Sequence, residues 1–393
     1  MSKLPNYIGP CAFGIKLGVI TPGCDLIGMV YQSMEECYRD TLLEDGDVVC
    51  VTESVVARAQ NNYVTTQDIA DNLEEQYQVQ KNGKLGVLFP ITSRNRFAII
   101  LRGLAKAVPE GEIILQFSYP CDEVGNQIID EELANNCGEN GMIKFETVAE
   151  DCSHPITKVN YPRYYKEIIE AEGAKSRIYL CNDPQMITSF DPDCVVISNI
   201  HERHKTCAAL QGKGVNCITL QDICSDSSKP SWSEWGLLGS NMSTENLLNL
   251  APKEGDEYAT RIQKKIYEKL GKKVEVLIYG DGAYKDPPSG IYELADPQPG
   301  LGSTEGFKGG RMREGVKYKL LADTAHAEGK SLAEIEETLK AHQSRQHEQD
   351  EMVSEGTTPR KMEDLIASLA DLISGSADAG TPVVLVKGFF NKR

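Results

Sequence analysis

The run Val274-Glu275-Val276-Leu277-Ile278-Tyr279 is mostly apolar and β-branched, and it ends in Gly280-Asp281-Gly282. That pattern predicts a buried strand. A glycine on each side of the aspartate lets the backbone turn sharply without the penalty of a Cβ. The chain is thereby constrained to place one carboxylate, Asp281, at the C-terminal end of a core strand. Asp286, Glu293 and Asp296 follow within one loop and turn, so this region can gather hard oxygen ligands for Mg²⁺ or Mn²⁺, the usual handlers of substrate phosphates. Asp-Gly is equally a turn signal, and an acidic loop is equally a solvated one. Both readings stand at this point.

With 393 residues the chain exceeds the usual size of one domain, which predicts two domains or one core with a large insertion. There are 58 acidic and 41 basic side chains, a formal net charge of −17. Such a chain has no global attraction for nucleic acid or an anionic membrane, so any phosphorylated ligand must be met by local positive charge or metal. No stretch approaches the roughly 18 apolar residues of a membrane span, and the first residues lack a secretory apolar region. A cytoplasmic location is expected. None of the 12 cysteines forms a CxxC pair. Most stand singly in apolar runs, such as Val48-Val49-Cys50-Val51, and read as small core residues of a reducing compartment. His201-Glu202-Arg203-His204 lacks the histidine spacing of a zinc-protease helix.

Along the chain, strands are predicted at 18–20 and 46–52 with a helix near 26–42 between them, then helices at 66–77 and 93–107. Ser93 is the candidate N-cap of the latter, which carries Arg94, Arg96 and Arg102. Those arginines read either as a phosphate or carboxylate clamp or as a solvated first turn. Strands at 178–180, 195–197 and 217–220 suggest a second α/β unit. None is followed by GxGxxG, so a dinucleotide site has little support. A helix is expected at 255–270, and a long loop at 297–316 bearing Lys308, Arg311 and Arg313, which reads as a ligand cover. Ser331 and Glu334 form a capping box for a helix at 331–347. A polar linker at 350–358, a helix at 361–374, a small-residue turn at 374–380 and a strand at 382–387 complete the pattern.

Four of these segments resemble the coenzyme F-420 (deazaflavin) γ-glutamyl ligase family. Residues 42–60, with Asp45-Gly46-Asp47, an apolar strand and Val55-Val56-Ala57-Arg58-Ala59, are similar to its N-terminal pattern. Ser240-Asn241 is similar to its Ser-Asn pair, and Tyr279-Gly280-Asp281 falls where the family has a strand-end aspartate. Residues 364–375 followed by 381–388 resemble its last helix, turn and strand. The likeness covers residues 15–110 and 236–390. It departs at Leu238, where the family places an aspartate, and at Asp281-Gly282-Ala283-Tyr284-Lys285, which stands for Asp-Thr-Phe-Gly-Arg.

The expected fold is α/β, a mixed-sheet ligase core in two parts, 1–112 and 236–393, interrupted at 113–235 by a smaller Rossmann-like lobe. The second part would hold the metal and nucleotide site. The resemblance implies an acid–amino-acid ligase, a homodimer, that uses GTP or ATP with Mg or Mn. It would activate a small carboxylate-bearing acceptor as an acyl phosphate, which the amino group of L-glutamate or a similar amino acid attacks. Asp281 is then implied as catalytic residue and first metal ligand, Glu293 and Asp296 as further ligands, and Lys285 as a catalytic cation. Ser240 and Asn241 would meet phosphate or metal-bound water. Arg58, Arg94 and Arg96 would contact phosphate or carboxylate, each being equally readable as a surface cation. Two other readings remain: a non-catalytic nucleotide- or metabolite-binding protein on the same fold, and a metal-dependent hydrolase without a phosphate-sized basic pocket. Convergence of Asp281, Asp286, Glu293 and Asp296 on one point would separate the ligase from the binding protein, and a phosphate-sized basic pocket would separate it from the hydrolase.

Overall fold

Two strands, β1 (Cys11–Ile15) and β2 (Val48–Thr52), begin one sheet, and the chain then leaves it to build another. The second sheet uses β3 (Lys84–Leu88), β4 (Glu112–Phe117), β5 (Ile143–Lys144), β6 (Lys175–Leu180), β7 (Cys194–Ile197) and β8 (Cys217–Thr219). The chain returns to the first sheet with β9 (Glu275–Tyr279), β10 (Gly300–Ser303) and β11 (Val383–Lys387). The computed structural model describes residues 7–137, 141–154, 157–281, 284–285, 292–293, 296–308, 312–313, 317–343, 360–374 and 380–390. No helix among them is long and apolar enough to cross a membrane.

The first sheet has five strands in the order β1-β11-β2-β9-β10. Only β2 and β9 run parallel; the other neighbours are antiparallel. Val49, Val51, Val276 and Ile278 face a core built with the helices Leu26–Arg39 and Gly255–Leu270. Val48, Cys50, Leu277 and Tyr279 face the opposite core, built with the helix Met362–Ser374. Both faces are covered, which is why these strands read as continuous apolar runs.

The second sheet has the order β5-β6-β4-β3-β7-β8, parallel except for β5. From β3 the chain moves outward through β4 to β6, then returns to the other side of β3 for β7 and β8. The order reverses between β3 and β7, and the crevice at the C-terminal ends of such strands is where doubly wound sheets place their ligands. The protein is thus α/β with mixed sheets, as expected. The second sheet begins at Lys84 rather than at 113, so the helix Phe97–Ala107 and the loop before it belong with this sheet.

Local expectations fare unevenly. The helices at 66–77 and 255–270 form over those residues, and Ser331 caps Leu332–Gln343 through Glu334. No strand forms at 18–20, where Val19 is 87% exposed; the first strand is β1. The stretch 297–316 is not one long loop, because Gly300–Ser303 is the buried strand β10. Its glycines read as loop, yet they serve close approach. A Cβ on Gly302 would lie 2.4 Å from the backbone of Gly255, and one on Gly255 would lie 2.2 Å from the Leu301 oxygen. The start of the helix Gly255–Leu270 crosses the strand in backbone contact. Lys308 pairs with Asp256, whereas Arg311, the Arg313 side chain, the expected linker at 350–358 and most of the turn at 374–380 lie outside the described residues. Cys50 and Cys194 are buried thiols.

Lys387 ends β11 almost wholly buried, and its ammonium meets Asp47 at 2.6 Å and Glu44 at 3.1 Å and donates to the Leu42 carbonyl. Removing one partner of such a pair leaves a charge uncompensated in the interior. Lys387→Met should therefore lower stability by about 3–5 kcal/mol. Arg39→Ala, which breaks an exposed pair with Glu35, should cost less than ~1 kcal/mol. Urea unfolding of the two variants tests the contrast; equal midpoints would show that the buried pair contributes nothing special.

Candidate functional site

Because β2 and β9 are parallel neighbours with Thr52 opposite Tyr279, the residues that follow each strand leave the sheet at the same edge. Those residues are Glu53 and Gly280-Asp281. Asp296, on the way into β10, is brought to the same place: its Oδ2 accepts the backbone N–H of Asp281 at 2.6 Å. A Cβ on residue 280 would stand 2.1 Å from that oxygen, so Gly280 is required by the approach of Asp296. Two of the carboxylates predicted to gather do so.

The cation between them comes from the other sheet. Arg96 lies in the loop that follows β3, and its side chain is 13% exposed. Nη2 meets Asp281 Oδ2 at 2.6 Å and Nη1 meets Asp296 Oδ1 at 2.7 Å. The loop is fixed before any ligand arrives. Ser93 Oγ accepts the Arg96 N–H, the Tyr165 hydroxyl accepts the Ser93 N–H, and Asp122 takes both the N–H and the hydroxyl of Thr92. The Met242 N–H reaches the Asn95 carbonyl at 2.8 Å and ties this loop to the Ser240-Asn241 segment. Burial opposes the charge on Arg96, but Asp296 and Asp281 outweigh it and hold the guanidinium more firmly protonated than usual.

Glu53 completes the cluster and was not among the expected site residues. It is 4% exposed, Oε1 accepts Asn241 Nδ2 at 3.4 Å, and Oε2 has no partner among the described residues. Burial, with the nearby charges of Asp296 and Asp281, pushes its carboxyl well above the usual range, and Arg96 and Asn241 counter this only in part. A local signal existed, since Thr52-Glu53 ends a buried apolar strand just as Tyr279-Gly280-Asp281 does. What local pattern does not give is that these two strands are neighbours.

The other expected residues are placed as follows. Asn241 touches Glu53, while Ser240 is buried and its hydroxyl donates to the Leu237 carbonyl. Arg94 is exposed and turned to Tyr161. Arg58 is exposed in the last turn of the helix Glu53–Ala59, where its charge acts on Tyr63. Neither arginine joins the cluster in any contact described here. Asp286 and the side chains of Lys285 and Glu293 lie outside the described residues.

Among the described residues no three His, Cys, Asp or Glu side chains are arranged to hold a metal ion. Asp281 and Asp296 are bridged by a guanidinium, and Leu238 is an apolar wall residue that is 2% exposed. Among the described residues it is this guanidinium that meets the charges of Asp281 and Asp296. Beside Arg96 a cavity of about 20 Å³ is walled by Ser198, Leu220, Leu238, Gly239 and Ser240. It has room for about one water. It lies at the C-terminal end of β7, so the site sits where the edge of the six-stranded sheet meets the end of β9.

The raised carboxyl of Glu53 makes a stability prediction. A group with a raised folded-state pKa favours the fold fully below its unfolded value and loses that contribution as pH rises through the folded value. Glu53→Gln should match the parent in acid, gain on it as pH rises above 4.5, the ordinary glutamate value, and level off above the raised one. Denaturant unfolding across pH reads this directly. A constant difference at all pH values would mean that Glu53 carries no such shift.

A universal stress protein from Archaeoglobus fulgidus is similar to 37% of this chain over 98% of its own length, at 17% identity and a TM-score of 0.22, too low to support an argument about fold or function. No curated protein matches the chain. The model of the F420-0:Gamma-glutamyl ligase family matches residues 14–388, running through the middle segment as well as both flanks. The chain belongs to the F420-0:gamma-glutamyl ligase family.

Proposed function

We propose that the protein is an amide ligase that uses GTP or ATP to activate a small carboxylate as an acyl phosphate and joins it to L-glutamate or a similar amino acid. Family membership supports the ligase class. The observation that carries the finer reading is Arg96, locked between Asp281 and Asp296 where the two sheets meet.

Phosphoryl transfer asks a protein for positioning and charge more than for a nucleophile. Negative charge develops on the transferred group, and a guanidinium already fixed in direction answers it with little reorganisation. Asp281, at 30% side-chain exposure, is the most open of the three carboxylates. Mg²⁺ or Mn²⁺ enters in this proposal as the counter-ion of the nucleotide phosphates. Lys285 and Glu293 belong to the same proposal as phosphate and ion contacts. The convergence of Asp281 and Asp296 supports a working site over a binding relic.

The test is release of phosphate from GTP and from ATP with Mg²⁺ and L-glutamate, across a panel of small carboxylic acids, with mass detection of the glutamyl product. Arg96→Met should lower kcat/KM by roughly 10²–10³-fold. Arg94→Met and Arg58→Met should stay near the parent rate. Full turnover in Arg96→Met, or no glutamate-dependent phosphate release with either nucleotide, would sink the proposal.

A further inference from the structure

Glu53 poses a problem that the ligase reading leaves unsolved. Its side chain is buried at the end of β2, one oxygen has only a 3.4 Å contact with Asn241, and the other has no partner among the described residues. A buried carboxyl oxygen without a donor is costly, and such an orphan calls for an explanation. Its neighbours are Asp281 and Asp296, acidic and bridged by Arg96, and the amide of Asn241. The surroundings therefore ask for a hydrogen-bond donor that carries positive charge.

We propose that Glu53 receives the ammonium group of the amino acid that is joined to the acceptor. This rests on the ligase reading above. An ammonium fits better than a divalent ion. It donates directional hydrogen bonds to one or two oxygens and needs no shell of six to eight ligands. Arg96 already takes up Asp281 and Asp296, which leaves the Glu53 oxygen to serve such a donor.

The position has a chemical use, because an ammonium has no lone pair. One N–H proton passes to the Glu53 carboxylate, which frees the lone pair of the nitrogen. The nitrogen then forms a bond to the carbonyl carbon of the acyl phosphate while the C–O bond to phosphate breaks. The second proton leaves the nitrogen with the departing phosphate, and Glu53 returns its own proton to solvent. Asp281 and Asp296 keep the surroundings anionic, so the amine is held beside the acyl group, while Arg96 faces the phosphate.

Two measurements test this, and they separate its failure from failure of the ligase reading. Calorimetric titration of the full chain with L-glutamate, with N-acetyl-L-glutamate and with Mn²⁺ alone needs no turnover. L-Glutamate should bind the parent and lose at least tenfold in affinity with Glu53→Gln, whereas the acetylated compound, which lacks the ammonium, should bind neither. Equal binding of L-glutamate to parent and variant, or Mn²⁺ binding that Glu53→Gln alone abolishes, overturns the proposal. In the ligation assay, hydroxylamine, neutral at pH 7, replaces the amino acid as nucleophile. Glu53→Gln should lose roughly 10²-fold with L-glutamate, far less with hydroxylamine, and Glu53→Asp should recover part of the loss. Equal losses with both nucleophiles would assign Glu53 to the scaffold.

Discussion

The bridge from Arg96 to Asp281 and Asp296 is the interaction on which the arrangement of this protein turns. A guanidinium at 13% exposure and a carboxylate at 1% exposure are expensive to remove from water singly. Together they are held by two short charge-assisted bonds and the backbone N–H of Asp281. The arginine belongs to the six-stranded sheet and the aspartates to the five-stranded one. Neither sheet can carry its half of the cluster comfortably without the other, so the ion pair joins the sheets and defines the site at their seam.

The segment between β2 and β9 is therefore more than an ornament on a ligase core. It supplies the only cation described within the cluster, and the loop bearing that cation is fixed by residues of the same sheet, Asp122 and Tyr165 among them. A sheet of parallel strands gathers its loops at one edge, and here that edge is turned toward the end of β9. The cavity at the end of β7 marks the same seam from the other side.

How much of this was legible in the sequence depended on how local the signal was. Strand β9 and its glycine-flanked aspartate were readable because burial on both faces leaves an uninterrupted apolar run. The helices at 66–77 and 255–270 were readable from periodicity. Strand β10 is not, since Gly300 and Gly302 speak of a loop unless the close approach of Glu363 to the first and of Gly255 to the second is known. Arg96 was readable only as one of several basic residues. What distinguishes it from Arg94 is a bonding pattern to residues some two hundred positions away. The meaning of Glu53 comes from the pairing of β2 with β9, which no window of sequence contains.

The place of β11 has a consequence for how the protein is made. Strands β1 and β2 emerge early from the ribosome but do not touch; β11, translated after all the other described strands, lies between them. Until residues 383–387 appear, β2 keeps an open, apolar edge, the kind of surface that recruits other chains. The six-stranded sheet has no such wait, because all its strands fall between Lys84 and Thr219 and can pair while synthesis continues. The nascent chain thus passes through a state with one sheet built and the other still unclosed, and its exposure to misassembly is concentrated in that interval.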